Sequence, residues 1–377
     1  MRALFYRRIA FGNILRNNLW VTAFFLYCLL AILWADFPFI AFKRYIKILG
    51  HPIMAMIILT DPDPDKALRI VMKRCAYILI LLSVLFIKYY PQYGRDFDGW
   101  SGEAINIGAM LTKSELGAVS MLFGLFFFWN LMTAWHLEDR RIRREEILIS
   151  SGFLVMIGWL LFMAHSSTSL VTFFIGVGTM SLLGMNIVNR RFIGTYVIAA
   201  IVLVAGAEGA FSVYETVLEL LGEDATLTDR TEVWADCIAL VSNPIIGEGF
   251  ENFWLGERLD ILWEKWWWRP NQAHNGYIET YLNLGLIGLF LLIGLIISTF
   301  RKISNDLLVN FSFAYLRLGF LFSIIFYNFT EATFKGVSIV WTIFHIIAID
   351  NPRQPQPHTQ VQKKRVIPQQ RHRYKKS

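Results

Sequence analysis

Long apolar runs recur along this chain from one end to the other, and that feature limits it to a membrane architecture. A backbone in lipid must satisfy its own hydrogen bonds, and a helix needs about 20 largely apolar residues to cross. About ten runs approach that standard: 19–35, 48–60 (short), 70–87, 116–135, 147–164, 169–188, 192–208, 276–300, 310–329 and 334–349. Residues 37–47 mix aromatics with Lys43, Arg44 and Lys47 and read as an interfacial segment. The predicted fold is an all-α polytopic membrane domain over residues 1–350, with one large external loop at 211–273. The tail, 351–377, is rich in Pro, Gln, Lys and Arg and reads as a disordered, basic, cytoplasmic extension.

Charge supports lipid as the solvent. Only 17% of the 377 residues are charged and 55% are hydrophobic, too little charge to cover a soluble protein of this length. The net charge of +7 would point to nucleic acid in a soluble chain. Here the excess gathers at Arg140-Arg141-Ile142-Arg143-Arg144, Arg190-Arg191, Arg301-Lys302 and the tail. With a basic N-terminus inside, all four fall on the cytoplasmic side, as the positive-inside rule requires. Membrane lipids, not nucleic acid, are the partners this pattern implies. Arg2, Arg7 and Arg8 precede an apolar run with no small-residue cleavage site after it, so the N-terminus reads as an anchor. Cys28, Cys75 and Cys237 form neither a disulfide framework nor a zinc spacing, and the first two read as packing residues.

The same topology puts 211–273 outside. A loop of that length in a compact protein folds or works. Thr228 or Asp229 can cap a helix from Arg230 to about Val241, whose apolar face is Val233, Trp234, Cys237, Ile238 and Val241. Asn243-Pro244 ends it, and Gly247 and Gly249 follow at alternate positions, where glycine permits unusual φ or close backbone approach. Phe250, Phe253, Trp254, Trp263 and Trp266-Trp267-Trp268 then form an aromatic cluster. Either they rest on the headgroups, or they build a wall for stacking sugar rings. The loop delivers His274 to the start of the next apolar run. There it is either a helix-end residue among headgroups or a base for a hydroxyl proton. Glu279, five residues on, either orients His274 or bonds within the bundle.

His274-Asn275, Tyr281, Leu284-Gly285 and Ile287-Gly288 resemble one signature of the O-antigen ligase and polysaccharide polymerase superfamily. Arg230, Trp234 four residues on, and Pro244-Ile245-Ile246-Gly247-Glu248-Gly249 resemble its second. The resemblance is to the exopolysaccharide-production branch. It implies a type C glycosyltransferase-like fold in the bacterial inner membrane. It implies an inverting transfer, without metal or cofactor, from an undecaprenyl-diphosphate-linked glycan on the periplasmic face. Polymerases of the family transfer to another lipid-linked glycan and ligases to lipid A core. Export and chain-length machinery are the further partners implied.

By motif match Arg230 would hold the diphosphate and His274 would take the acceptor proton. Lys113, Trp234, Gly247, Gly249, Asn275, Glu279 and Lys335 are the expected substrate-binding positions. Glu103 and Glu331 also fall near the outer face. Two departures stand out. The outer turn Ala164-His165-Ser166-Ser167-Thr168-Ser169 lacks the arginine many relatives carry there. The family usually has about twelve spans against the about ten read here, the difference falling at the N-terminus.

A transporter of lipid-linked glycans is the competing class. It would show ionisable groups near mid-membrane and broken helices, whereas most spans here lack charge. A non-enzymatic scaffold for an export complex leaves Arg230 and His274 unexplained.

Overall fold

The computed structural model describes residues 11–97, 102–185, 188–200, 202 and 224–350. The basic tail, the N-terminal arginines, residues 211–223 of the loop and much of the 192–208 run lie outside them. The chain is largely helical. The helices are α1 (Phe11–Asn17), α2 (Leu19–Leu30), α3 (Pro38–Ile48), α4 (Gly50–Leu59), α5 (Pro64–Tyr89), α6 (Pro91–Gly94), α7 (Lys113–Ala134), α8 (Arg140–Met163), α9 (Ser167–Gly184), α10 (Asp224–Ala239), α11 (Glu257–Lys265), α12 (Gly276–Asp306), α13 (Phe311–Tyr327) and α14 (Ile339–Ala348). The all-α expectation needs one amendment: Arg95–Phe97 (β1) and Ala104–Asn106 (β2) pair antiparallel, with Asp96 opposite Ile105.

Among the described residues five helices, α5, α7, α8, α9 and α12, are long and apolar enough to cross a membrane, not ten. The chain is thus a multi-pass membrane protein with fewer full-length spans than its hydropathy implied. Helices α2, α13 and α14 are apolar but shorter, of 12, 17 and 10 residues. Apolar runs overestimate helices because they count residues, not backbone geometry. The 334–349 run contains Gly336 at φ 54°, so its first residues form a loop and the helix starts only after Ser338 caps it. The 310–329 run ends in helix at Tyr327, where Asn328 turns its amide to the next loop. The 48–60 run is α4, of 10 residues.

Helix α7 is the hub. It is buried along most of its length and packs on α8, α9, α13 and α14. A second layer pairs α12 with α2, while α4 packs on α14. The helix ends beside the 224–275 loop are stitched together. Ser114 at the start of α7 meets Glu331 after α13, and Thr168 at the start of α9 meets Thr330. Gly276 at the start of α12 donates to the Asn328 carbonyl at 2.8 Å. The Arg140, Arg190 and Arg301 clusters therefore sit at the opposite end of the bundle. Cys28 is buried as expected, whereas Cys75 is exposed on the outward face of α5.

The described part of the long loop, from residue 224 on, has a core of its own. Val233, Cys237, Phe253, Trp254, Leu262, Ala273 and Leu282 are buried together, apart from the main core. Helix α10 begins at Asp224, so Thr228 and Asp229 lie inside it instead of capping it. Val233 and Cys237 face that core as the periodicity predicts, but Ile238 is exposed. Burial pushes the Cys237 thiol up to about 12, helped by Glu279 and Asp236, so it is a packing residue, not a nucleophile.

The two signatures lock together through glycine. Helix α12 breaks at Gly285, whose φ of 64° is left-handed. The break frees helix-backbone groups that the loop uses. Leu286 and Ile287 donate to the carbonyls of Pro244 and Ile245 at 2.9 and 3.1 Å, and Glu248 donates to that of Leu282 at 3.1 Å. A Cβ on Gly247 would lie 2.5 Å from the Gly285 nitrogen, and one on Gly285 would lie 2.3 Å from the Ile245 oxygen. A side chain at either position would separate loop from helix.

Candidate functional site

His274 sits where loop core, α12 and the segment after α13 converge. Its backbone is left-handed, φ 49°, which costs a non-glycine residue about 1 kcal/mol or more. Its neighbours hold that conformation. The Trp234 indole donates to the Ala273 carbonyl at 2.6 Å, and the Ala273 amide donates to Glu279 Oε2 at 2.9 Å. Asn275 caps α12, accepting from the Tyr277 and Ile278 amides at 3.0 and 3.1 Å, and donates to the Phe329 carbonyl. Gly276 packs so tightly on Asn328 that a Cβ would come within 2.2 Å of its side chain.

Glu279 is the anchor of this arrangement. It is 2% exposed and also accepts from the Trp254 indole at 2.7 Å and from Lys335 Nζ at 2.8 Å. A buried carboxylate requires such partners. Glu279 contacts the backbone before His274 rather than the imidazole. The imidazole's carboxylate partner is Glu331: His274 Nδ1 lies 3.6 Å from Glu331 Oε2, an ion-pair contact longer than a hydrogen bond. Gln272 Nε2 lies 3.4 Å from the same nitrogen.

Glu331 is itself largely buried and accepts from Ser114 Oγ at 2.8 Å. Burial alone acts to raise its pKa. His274, then Ser114 and Arg230, outweigh it and hold the carboxyl below its ordinary range. Arg230 arrives from α10 and donates to the Thr330 carbonyl at 3.1 Å, which sets its guanidinium beside Glu331. Thr330 meets Thr168 through their hydroxyls at 2.7 Å.

A cleft with a cavity volume of ≈ 660 Å³ opens in front of His274. Of the residues expected in the site, His274, Lys113 and Lys335 line it. Arg230 does not line it and reaches the site through the Thr330 carbonyl and the charge of Glu331. Trp234, Asn275 and Glu279 act on the backbone around His274. Gly247 and Gly249 do not reach the cleft: the first packs on α12, and a Cβ on the second would meet Ala35 after α2 at 2.7 Å. The aromatic cluster is mostly interior. Phe250, Phe253 and Trp254 are buried, and Trp266 donates to Asp236. Trp267, 64% exposed, and Trp263 present indole to the surroundings.

Sequence reading did not assign Glu331 a role, and it missed Ser114, Gln272 and Thr330. A carboxylate closing an apolar run was the available signal, since such a group needs a partner. Nothing in the sequence named His274 as that partner.

Residues 151–293 match the family model described as O-antigen ligase. That stretch holds Arg230, Trp234, Gly247, His274, Glu279 and Gly285, whereas Lys113, Glu331 and Lys335 fall outside it. The chain is 26% identical over 318 residues to the exopolysaccharide production protein ExoQ of Rhizobium meliloti (strain 1021), covering 80% of this chain and 69% of that one. The resemblance of the two signatures to the O-antigen ligase and polysaccharide polymerase superfamily, on its exopolysaccharide side, is thereby borne out over the stretch that holds both signatures.

Proposed function

We propose that the protein is an inverting glycosyltransferase that extends an exopolysaccharide or O-antigen chain at the periplasmic face of a bacterial inner membrane. The donor is a glycan on undecaprenyl diphosphate and the acceptor is a hydroxyl of a second glycan. The observation that supports this best is the convergence on one end of the bundle of a strained, pinned histidine, a carboxylate partnering its Nδ1, and a guanidinium beside that carboxylate. Positive loops at the opposite end support an outward-facing site.

The chemistry follows from the groups. The ionised Glu331 favours a proton on His274 Nδ1, with Gln272 turning its interchangeable amide oxygen to the same proton. Nε2 then keeps its lone pair and accepts the hydroxyl proton as the acceptor oxygen bonds to the anomeric carbon. The bond from that carbon to the diphosphate breaks, and its electron pair leaves with the diphosphate. Arg230 balances the growing charge through paired N–H donors. One direct displacement inverts the anomeric configuration. Thr168 and Thr330 stand beside Arg230 where many relatives carry a second arginine, so hydroxyl donors complete the anion site here.

Transfer to another glycan is favoured over transfer to lipid A core because the similar protein is one of exopolysaccharide production. The test is the glycan profile of strains carrying His274→Ala or Arg230→Ala at normal membrane levels. Loss of polymer with accumulated single repeats is expected for both. Polymer of normal length stranded on its lipid carrier would instead mean a ligase, and normal polymer in both strains would sink the assignment.

A further inference from the structure

The cleft in front of His274 is bounded on its far side by the β1–β2 hairpin, which entered neither signature. The chain on either side of its two strands is anchored. Asn106 Nδ2 donates to the Met163 carbonyl at 3.0 Å at the end of α8, and the Ala109 amide donates to Ser83 Oγ at 3.1 Å on α5. Gly94 lies against the backbone of Phe86 and Ile87, where a Cβ would come within 2.4 Å. On this side Asp96 and Phe97 line the cleft, with Leu111 beside them. Phe97 is 74% exposed and Leu111 80%, so both apolar faces are open to a ligand in the cleft.

The lining selects among ligands. Its charges are mixed: the carboxylates of Asp96, Glu115 and Glu331 and the ammonium groups of Lys113 and Lys335, with Glu331 partnered by His274 and Lys335 by Glu279. That mixture offers a polyanionic diphosphate no cationic cradle. Close to half of the lining side chains are polar or charged, which disfavours a bare prenyl chain. Hydroxyl-rich rings with apolar CH faces fit both halves of the lining: carboxylates and hydroxyls for the edges, Phe97 and Leu111 for the faces. Position agrees. Displacement at one carbon needs nucleophile and leaving group on opposite sides, and the proposed leaving-group arginine, Arg230, is not among the cleft's lining residues.

We infer that this cleft is the subsite for the acceptor glycan, with Phe97 stacking on a sugar ring and Asp96 accepting from its hydroxyls. The inference rests on the proposed transfer reaction and adds where the acceptor sits. The full-length protein, reconstituted in vesicles with its lipid-diphosphate-linked repeat as donor, tests it. The acceptor probe is the oligosaccharide released from that repeat by mild acid. Phe97→Ala and Asp96→Asn, both at exposed positions, should each raise the KM for the oligosaccharide about tenfold, the loss of one good contact. The KM for the donor should stay within about twofold in both. A rise in donor KM instead, or no change in either, overturns the inference while a wild-type protein that needs His274 keeps the reaction. Wild-type protein that transfers nothing to the oligosaccharide overturns both.

Discussion

The bundle carries an ionic cluster at each end, each beside a cavity, and the two differ in the groups they turn toward it. At the basic end, Arg317 on α13 is 5% exposed and bonds Asp306, Asp350 and the Ile347 carbonyl. Lys302 adds Asn18 and the Ala348 carbonyl. That cluster ties α12, α13, α1–α2 and the end of α14 into one knot in which the guanidinium meets both carboxylate and carbonyl oxygens. At the other end, His274 and Glu331 touch at ion-pair distance, on strained backbone, beside a cleft. A guanidinium has only donors to offer its cavity; an imidazole can accept a proton from a molecule in its own. Carboxylate and guanidinium groups thus tie helices together at one end and, on the proposed reaction, flank a reactive imidazole at the other.

Substitutions can break or sharpen that contrast. The largest effect should be His274→Ala, with transfer falling about 10²–10⁴-fold, as removal of a general base does, and the melting temperature in detergent nearly unchanged. Arg317→Ala should do the reverse, destabilising by about 1–3 kcal/mol because the buried Ile347 carbonyl loses its donor, with activity per folded molecule preserved. Equal activity losses in both variants would erase the distinction between the ends.

Glu331→Gln should cost about tenfold to a hundredfold in rate, the worth of one charged contact to the imidazole. It also has a pH signature. A carboxyl held below its unfolded pKa, about 4.3 for Glu, contributes stability that is complete above that value and lost as pH falls through the folded one. Acid unfolding should therefore lose that increment in Glu331→Gln, compared by melting at neutral pH and below pH ~4. The smallest effect should be Trp234→Phe. It removes the indole N–H from the Ala273 carbonyl, worth about 1 kcal/mol, while Glu279 still holds the Ala273 amide. A rate loss matching His274→Ala would mean that Trp234 touches substrate.

Sequence made the membrane class and the signature residues legible because both are local: apolar runs are contiguous, and each signature spans a few turns. It overcounted full-length helices because Gly336 and Asn328 break apolar runs in ways hydropathy does not register. The partners in the site were illegible because they are long-range. Glu331 follows His274 by 57 positions, and Ser114 precedes it by 160. Glu279 looked like an orienting carboxylate from spacing alone. Burial against Trp254, Lys335 and the Ala273 amide gave it another task. Of the aromatic cluster, only geometry could divide the indoles that fill the loop core from the outward-facing Trp267.

The interlock of Gly247 with Gly285 has a consequence for engineering. Loop and helix share hydrogen bonds across a contact that admits no side chain, so neither can be recut alone. A chimera that borrows a relative's loop but keeps the resident α12 would bring together two surfaces not cut for one another. The transplantable unit runs from about Asn243 through Gly288, and a specificity graft should move it whole.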